Sequence, residues 1–216
     1  MGSIKLPHAS GNSMSIAAPA TNPASDLELK LPATVGTAGQ FLTVDGSGNL
    51  TWANPPGVTH ADCWRITADF TNNQTPVSAN LERAIDANGN DGYGTIGDPM
   101  TVSSGVWTFP VTGIWRVELN AWYSNTNPSA TTNSVIKNTI DNGSDWKIVA
   151  QSVDSIGDDG SETVYSATYC TCILDINDLS NRKVRFDISH EATTVTCHGA
   201  ADKNETCMFF TRLGDT

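Results

Sequence analysis

Alternating apolar and polar positions run through most of the chain and predict a protein built from β-strands. In the segment GIWRVELNAWYS, every second residue from Trp115 to Tyr123 is apolar, and mostly polar residues stand between them. The segments KVRFDIS, TVYSATYCTCILDI and ETCMFFTRLG are also rich in strand-forming residues. The pattern predicts a C-terminal knob whose core contains these side chains: Trp115, Val117, Leu119, Tyr123, Phe186 and Phe209.

Turn-forming clusters separate these strands, for example DANGNDGYG, SNTNPSATTN, DNGSD and GDDGSE. Asp, Asn, Gly and Ser favour turns because they tolerate unusual backbone angles or bond to their own backbone. The one helix candidate is the short segment SANLERAID, at about residues 78–86. Many short strands without a strand–helix–strand rhythm predict an all-β jelly-roll β-sandwich.

The first part of the chain has few apolar residues, and the break WANPPGVTH divides it from the knob. The segment DLELKLP predicts a short strand with leucines on one face, and QFLTVDGSGNLTW predicts two strands joined by a turn. A segment this small cannot stabilise itself and needs a partner surface. We expect an extended arm over residues 1–30, a short intertwined β stalk over 31–59 and the knob over 60–216.

Composition excludes several partners. The chain has 12 basic and 23 acidic residues, a net charge of −11, so it repels nucleic-acid phosphates and anionic membranes. No apolar run approaches the roughly 20 residues that span a bilayer, and the N-terminal sequence does not resemble a secretory signal. We therefore expect synthesis in a cytoplasm, no nucleic-acid partner and no membrane insertion.

The five cysteines are an odd number, so at least one is unpaired within the chain. Cys170 and Cys172 would lie on one face of one strand, about 6.6 Å apart, where a disulfide is strained. We interpret the cysteines as buried thiols of a reduced compartment. The end of the chain also carries a group of thiols and imidazoles: His190, Cys197, His198 and Cys207. Their spacing does not follow a zinc pattern, because adjacent strand residues point to opposite faces.

Two acidic loops offer oxygen ligands that suit calcium. The loop DANGNDG supplies Asp86, Asn88 and Asp91, and the loop DSIGDDGSE supplies Asp158 and Asp159. The first loop differs from a calcium loop because its glycine is one place late and no glutamate closes it. Asp, Asn and Gly are also common in solvated turns. A weak calcium site and a plain turn both stay open, and no other cofactor is expected.

The segment MTVSSGVWTFPVTGIWRVELNAWYS resembles the signature of complement-type globular heads and their tumour-necrosis-factor relatives. The matching residues are Gly105, Phe109, Pro110, Gly113, Trp115, Val117 and Leu119. Trp and aliphatic residues replace the Tyr and Phe that are usual in that family. The segments SVIKNTIDNGSDW, YSATYCTCILDINDLSNRKVRFDI and CMFFTRLG follow in the family's order, over about residues 62–216. The resemblance implies a ten-stranded jelly roll that forms a homotrimer.

The N-terminal part has a different resemblance. The segment IKLPHASGNSMSIAAPATNPASDLELKLP is similar to the start of structural proteins from marine and cyanobacterial phages, and GTAGQFLTVDGSGNLTWA resembles a module of phage tail-fibre and appendage proteins. This implies that residues 1–30 bind other virion proteins, of the tail or the capsid. Three copies would then pack one set of stalk residues around a threefold axis: Leu31, Phe41, Leu42, Val44 and Trp52.

The resemblance implies a virion structural protein, made in the host cytoplasm, that acts as a trimeric tail fibre or receptor-binding appendage. One alternative is a capsid decoration protein or head fibre at a symmetry axis, and another is a soluble carbohydrate-binding lectin. Candidate contacts with a host surface glycan are Trp122, Asn125 and Asn127, because an exposed Trp beside amide-rich loops can stack on a sugar ring. Packing in the trimer interface is the other interpretation of Trp122.

Catalytic motifs are missing from the sequence. It contains no G-x-S-x-G, no H-E-x-x-H and no phosphate-binding loop. Pairs of carboxylates occur in any acidic chain and do not indicate glycoside hydrolysis by themselves. We therefore expect a protein that is not an enzyme.

Overall fold

The computed structural model of the chain divides into two compact units, Met1–Pro56 and Gly57–Thr216. The structure describes residues 3–7, 10–17, 19–21, 23–53, 57–84, 95–126, 130–157, 160 and 162–216. Every named element within these ranges is a β-strand. No helix in the described part of the chain has the length and apolar character that crossing a bilayer requires.

The first unit holds two separate hairpins. Strands β1 (Ser3–Pro7) and β2 (Ser13–Ala17) pair antiparallel. The sequence pattern of residues 1–30 does not predict this hairpin. Strands β3 (Phe41–Val44) and β4 (Leu50–Ala53) form the expected strand–turn–strand over QFLTVDGSGNLTW. The first unit is therefore a pair of small β elements, each with too little area to bury a core.

The strand predicted in DLELKLP is wrong. Within residues 26–32, all of which are described, only Lys30 makes a bridge, and it is an isolated parallel one to Asn49. The backbone N–H of Lys30 donates to the carbonyl oxygen of Gly48, and the carbonyl oxygen of Lys30 accepts the backbone N–H of Leu50. No second strand continues this ladder, so the three leucines of the segment stay exposed. The boundary expected at residue 30 falls inside this pairing.

The second unit is a β-sandwich. In chain order its described strands are β5 (Ala61–Ile66), β6 (Leu81–Arg83), β7 (Thr101–Ser103), β8 (Val106–Thr108), β9 (Gly113–Asn125), β10 (Ala130–Thr139), β11 (Lys147–Ile156), β12 (Val164–Ile176), β13 (Lys183–His190), β14 (Val195–Cys197) and β15 (Cys207–Gly214). One sheet has the spatial order β11-β10-β13-β8-β7. The other has the order β12-β9-β15-β5-β6, with β14 also paired to β9.

The connections between strands define the fold class. From β8 to β14 the chain crosses from one sheet to the other at each connection except the β10–β11 hairpin. Two packed antiparallel sheets joined in this way form a jelly roll. The all-β jelly-roll sandwich expected from the strand pattern is therefore the architecture of the second unit.

The core of the sandwich is rich in aromatic rings. Trp107 lies 5.1 Å from Phe210 and 5.9 Å from Phe186, measured between ring centroids, and all three are fully buried. Strand β9 contributes the inward-facing side chains Trp115, Val117, Leu119, Ala121 and Tyr123, each at most 1% exposed. Edge-to-face and tilted ring contacts of this kind add to the free energy of burial.

Two expectations about the second unit are wrong. Phe209 was expected in the core, but it is half-buried on the opposite face, and its neighbour Phe210 takes the core position across from Val117. The helix expected over residues 78–86 is wrong because residues 81–83 form β6, where Arg83 pairs with Trp64 of β5. Pairing with a strand already in place outweighs the weak helix propensity of a short segment.

Candidate functional site

The outward side of the six-stranded sheet carries a row of large apolar side chains. Because side chains alternate across a strand, the register of β12, β9 and β15 places one set away from the core. We call this surface the outer face, defined by Trp122, Tyr165, Tyr169, Ile173 and Phe209. Ile173 is 65% exposed, Tyr165 57% and Tyr169 53%. So large an apolar patch on one side of a sheet is typical of a surface that another molecule covers.

Two ion pairs lie on the outward side of this sheet. Arg116 Nε lies 3.0 Å from Glu118 Oε2. The hydroxyl of Tyr169 donates to the other oxygen of Glu118, and this bond raises the pKa of the tyrosine. Arg65, buried on this side, lies 3.0 Å from Glu82. Aromatic side chains are enriched at the centres of protein interfaces, and the tyrosines and tryptophan of the outer face fit that composition.

Trp122 lies at one end of the outer face. Its ring stacks on Tyr165, with centroids 5.4 Å apart and planes inclined by 23°, and lies 4.8 Å from the His198 ring. Trp122 is therefore half-buried within its own chain. This position suits packing against a second copy, and contact with a receptor stays a prediction.

Asn125 does not fit its expected role as a receptor contact. It is 1% exposed because β12 and β14 flank this end of β9 on both sides, with Val164 and Val195 opposite Asn125. Asn125 also has the same parity along β9 as the core residues. Asn127, the third expected contact, lies outside the described residues.

The candidate calcium ligands lie outside the described residues, so the distances between their oxygen atoms are not defined. The structure does not describe residues 85–94, which include Asp86, Asn88 and Asp91. It also does not describe Asp158 and Asp159. All five residues are outside the part of the chain that the structure describes. Calcium binding by these loops stays a prediction.

In the first unit, Trp52 and Asp45 hold the second hairpin in shape. Trp52 Nε1 donates to the carbonyl oxygen of Thr34 at 2.9 Å, and its ring covers Gly36 so closely that a Cβ there would lie 2.6 Å from the ring. Asp45 accepts the backbone N–H groups of Ser47 and Asn49 at 2.8 and 2.9 Å, with a further bond from the Asn49 side chain. These bonds lower the pKa of Asp45. The module GTAGQFLTVDGSGNLTWA is therefore held together locally by one turn and one indole ring.

The expected stalk residues remain accessible in a single chain. Leu31 is 80% exposed, Val44 54%, Phe41 45%, Leu42 44% and Trp52 38%. The register places Leu42 opposite Trp52 and Val44 opposite Leu50, so these side chains share one face of the hairpin. Phe41 pairs with Ala53 on the other face. Neighbouring side chains on a strand point to opposite faces, so Phe41 lies on the face opposite Leu42. A threefold contact made by the face of Leu42, Val44 and Trp52 therefore cannot include Phe41.

All five cysteines are free thiols, and four of them are buried. Burial raises the pKa of Cys63, Cys172 and Cys197 to about 12 and that of Cys170 and Cys207 to about 11, above the ordinary value of 9.0. Cys197 Sγ contacts Thr206 Oγ1 at 3.5 Å, and His190 Nδ1 lies 2.8 Å from the carbonyl oxygen of Ala192. These contacts agree with the interpretation of structural thiols.

The raised thiol pKa values predict slow alkylation. At about pH 8.5 the folded chain holds far less thiolate than the unfolded chain, so iodoacetamide should modify native cysteines at least about tenfold more slowly than cysteines in urea. Since the folded pKa lies above the unfolded value of 9.0, the neutral thiols favour folding below pH 9, and this advantage falls as pH rises toward 11 to 12. A cysteine that reacts equally fast in both states would contradict its placement.

One group of polar side chains escaped the sequence patterns. Strands β14 and β15 both run beside β9, and the loop of residues 198–206 interrupts them. At this interruption Asp69, His198 and Glu205 come together, with one ligand-type atom of each within 4.8 Å of the others. In the sequence His198 stands next to Cys197, and this spacing does not follow a zinc pattern. The sequence does not indicate a metal-binding role for Asp69. It lies far from His198 along the chain, and only the fold brings the two side chains together.

The chain was compared with known proteins. No protein-family model matches it, and no curated protein does either. Among solved structures, it is similar to Eiger TNF from S. frugiperda at 12% identity, over 74% of this chain and 96% of that one, with a TM-score of 0.49. It is also similar to murine APRIL at pH 8.5, at 10% identity over 71% and 98% of the two chains, with a TM-score of 0.46. None of these similarities transfers a residue's role to this chain.

Proposed function

We propose that this chain is a homotrimeric structural protein of a phage particle, an appendage whose knob packs against its copies through the outer face. The observation that carries the proposal is the row of aromatic and aliphatic side chains on that face, of which Tyr165, Tyr169 and Ile173 are more than half exposed. Covering such surface on assembly removes apolar area from water at roughly 25 cal/mol per Å².

Electrostatics supports association through this face in particular. Each chain carries a net charge of −11, so copies repel one another over most of their surface. This repulsion is smaller on the outer face because Arg116 with Glu118, and Arg65 with Glu82, form neutral pairs. A closed ring of copies covers the face on every chain, and the resemblance to trimeric globular heads favours three.

The first unit supplies the proposed link to the particle. It exposes Leu6, Ile16 and Val44 on its hairpins and Leu27 and Leu29 in the segment between them, each at least 50% accessible. Such a small unit has no interior in which to bury these side chains, so partner molecules are the natural cover. The resemblance of these segments to phage structural proteins favours other virion proteins as the partners.

A charge placed on the outer face should break the trimer. Ile173→Asp puts an unpaired carboxylate into the proposed interface, where burial would cost more than association returns, so the variant should sediment as a monomer. Val153→Asp is the matched control, because Val153 is 58% exposed on β11 of the other sheet and should leave the trimer intact. Sedimentation velocity measures both. A trimeric Ile173→Asp variant would rule out this face as the interface.

A map of the intact particle tests the role in the virion. If residues 1–30 run into the tail or its adaptor, the protein is an appendage, and glycan binding by the knob loops becomes the next measurement. If they pack on the capsid at a threefold or quasi-threefold position, the protein is a decoration protein or head fibre. If no density in the particle matches the chain, the virion proposal fails and a soluble lectin is the remaining function.

A further inference from the structure

A cluster of three metal-ligand side chains lies where the loop of residues 198–206 leaves β14 and returns to β15. It consists of Asp69, which follows β5, and of His198 and Glu205 near the two ends of that loop. One carboxylate or imidazole atom from each lies within 4.8 Å of the other two. We propose that these three side chains bind one first-row divalent cation and that Zn²⁺ is the best fit.

The imidazole of His198 is held by its surroundings. Its Nε2 lies 2.7 Å from Ser124 Oγ, and Trp122 packs against the ring. When Nε2 carries the proton and donates to Ser124, the lone pair of Nδ1 faces Asp69, whose Oδ2 is 3.5 Å away. Histidines that bind metals usually donate their second ring N–H in this way, which fixes the tautomer and the ring plane.

The two carboxylates are anchored through other groups. Asp69 uses Oδ1 to accept the backbone N–H of Gly199 at 3.0 Å, which leaves Oδ2 for a ligand. The backbone of Glu205 is fixed because its carbonyl oxygen accepts a bond from Asn120 Nδ2 at 3.2 Å. Ligands at about 2.0 to 2.2 Å from a tetrahedral Zn²⁺ lie about 3.4 Å apart. The pair of His198 and Asp69 already has this separation, and the exposed side of Asp69 permits the remaining shift.

The donor set decides the type of metal. An imidazole favours zinc and its first-row neighbours over calcium and magnesium, which take oxygen ligands alone. Three protein ligands leave a fourth position for water or for another ligand, as in open zinc sites. Lys203 Nζ lies 2.6 Å from Glu205 Oε1 and competes with the metal for that carboxylate. All three ligands belong to one chain, so the site does not depend on the proposed trimer.

The test is calorimetric titration of the full-length chain with ZnCl₂. The wild-type chain should bind one Zn²⁺, and His198→Ala and Glu205→Gln should each weaken binding at least about tenfold. Asp202→Asn is the matched control, because this exposed carboxylate lies in the same loop but outside the cluster, and it should bind as the wild type does. Lys203→Ala should bind Zn²⁺ more tightly, since it removes the competing cation.

The near-ultraviolet circular dichroism of each variant without metal shows whether it is folded. If His198→Ala does not fold, Glu205→Gln and Lys203→Ala still test the site, because both side chains lie in the loop. Absence of binding by the wild-type chain at millimolar Zn²⁺ would overturn the proposal. Equal affinity of the wild type and Glu205→Gln, or binding that disappears when the thiols are alkylated, would also overturn it, since the metal would then lie elsewhere.

Discussion

Phe210→Ala is expected to destabilise the knob by about 3 to 5 kcal/mol, the usual cost of deleting a buried aromatic ring. Phe210 is fully buried, and its ring centroid lies 5.1 Å from that of Trp107, 5.7 Å from that of Phe186 and 6.4 Å from that of Phe109. Its removal leaves a cavity that three rigid rings cannot close. Urea unfolding followed by tryptophan fluorescence measures the loss.

Phe209→Ala is the matched control for this substitution. The two phenylalanines are adjacent on β15, but Phe209 is half-buried on the outer face, where it lies across from Glu118 and Cys63. We expect Phe209→Ala to leave the folding of the single chain nearly unchanged and to weaken association of copies. The placement of these two residues is wrong if Phe209→Ala destabilises the fold as much as Phe210→Ala does.

Asp62→Ala is expected to cost about 3 kcal/mol, because one buried carboxylate satisfies three other groups. Asp62 is 4% exposed and accepts bonds from Arg83 Nε at 3.0 Å, Trp64 Nε1 at 2.9 Å and the backbone N–H of Met100 at 2.9 Å. The substitution leaves the backbone N–H of Met100 buried without its acceptor. It also removes the carboxylate that pairs with Arg83. Asp62→Asn keeps the shape and one acceptor, so its loss should be intermediate.

Asp145→Ala is the control for the loss of a carboxylate from an ion pair. Asp145 lies 2.7 Å from Lys147, but both side chains are more than half exposed. Exposed pairs contribute little to stability, so the urea midpoint of this variant should match that of the wild type. Equal unfolding midpoints for Asp62→Ala and Asp145→Ala would show that the buried network does not hold β5, β6 and the chain before β7 together.

The alternation of residues along β9 predicted much of the knob. The segment GIWRVELNAWYS has one apolar and one mostly polar face, so its phase is unambiguous, and the inward side chains from Trp115 to Tyr123 are buried. The closing strand has the run CMFF, in which alternation is lost, and the prediction placed Phe209 in the core. The prediction fails because β15 has apolar residues on both faces, with Met208 and Phe210 toward the core and Phe209 toward the outer face. The property that hid the phase of β15 is the one that makes the outer face a candidate interface.

Other features depend on contacts between distant parts of the chain. The segment around residues 81–83 has helical spacing, yet β5 draws it into the sheet, where the buried Arg65 meets Glu82. The cluster of Asp69, His198 and Glu205 arises because the loop of residues 198–206 folds against the residues after β5, with Ala200 N donating to Ile66 O. Spacing along the sequence does not indicate contacts between distant segments. The turn at Asp45 is formed by residues within four positions of one another, so the sequence predicts it.

The central claim is that three copies of the chain pack through the outer face of the six-stranded sheet. The most direct measurement is native mass spectrometry of the unmodified full-length chain at micromolar concentration. We expect a dominant species at three times the chain mass of 22.9 kDa. A species that stays at the mass of one chain over the whole accessible concentration range would contradict the claim, and a stable dimer would contradict it equally.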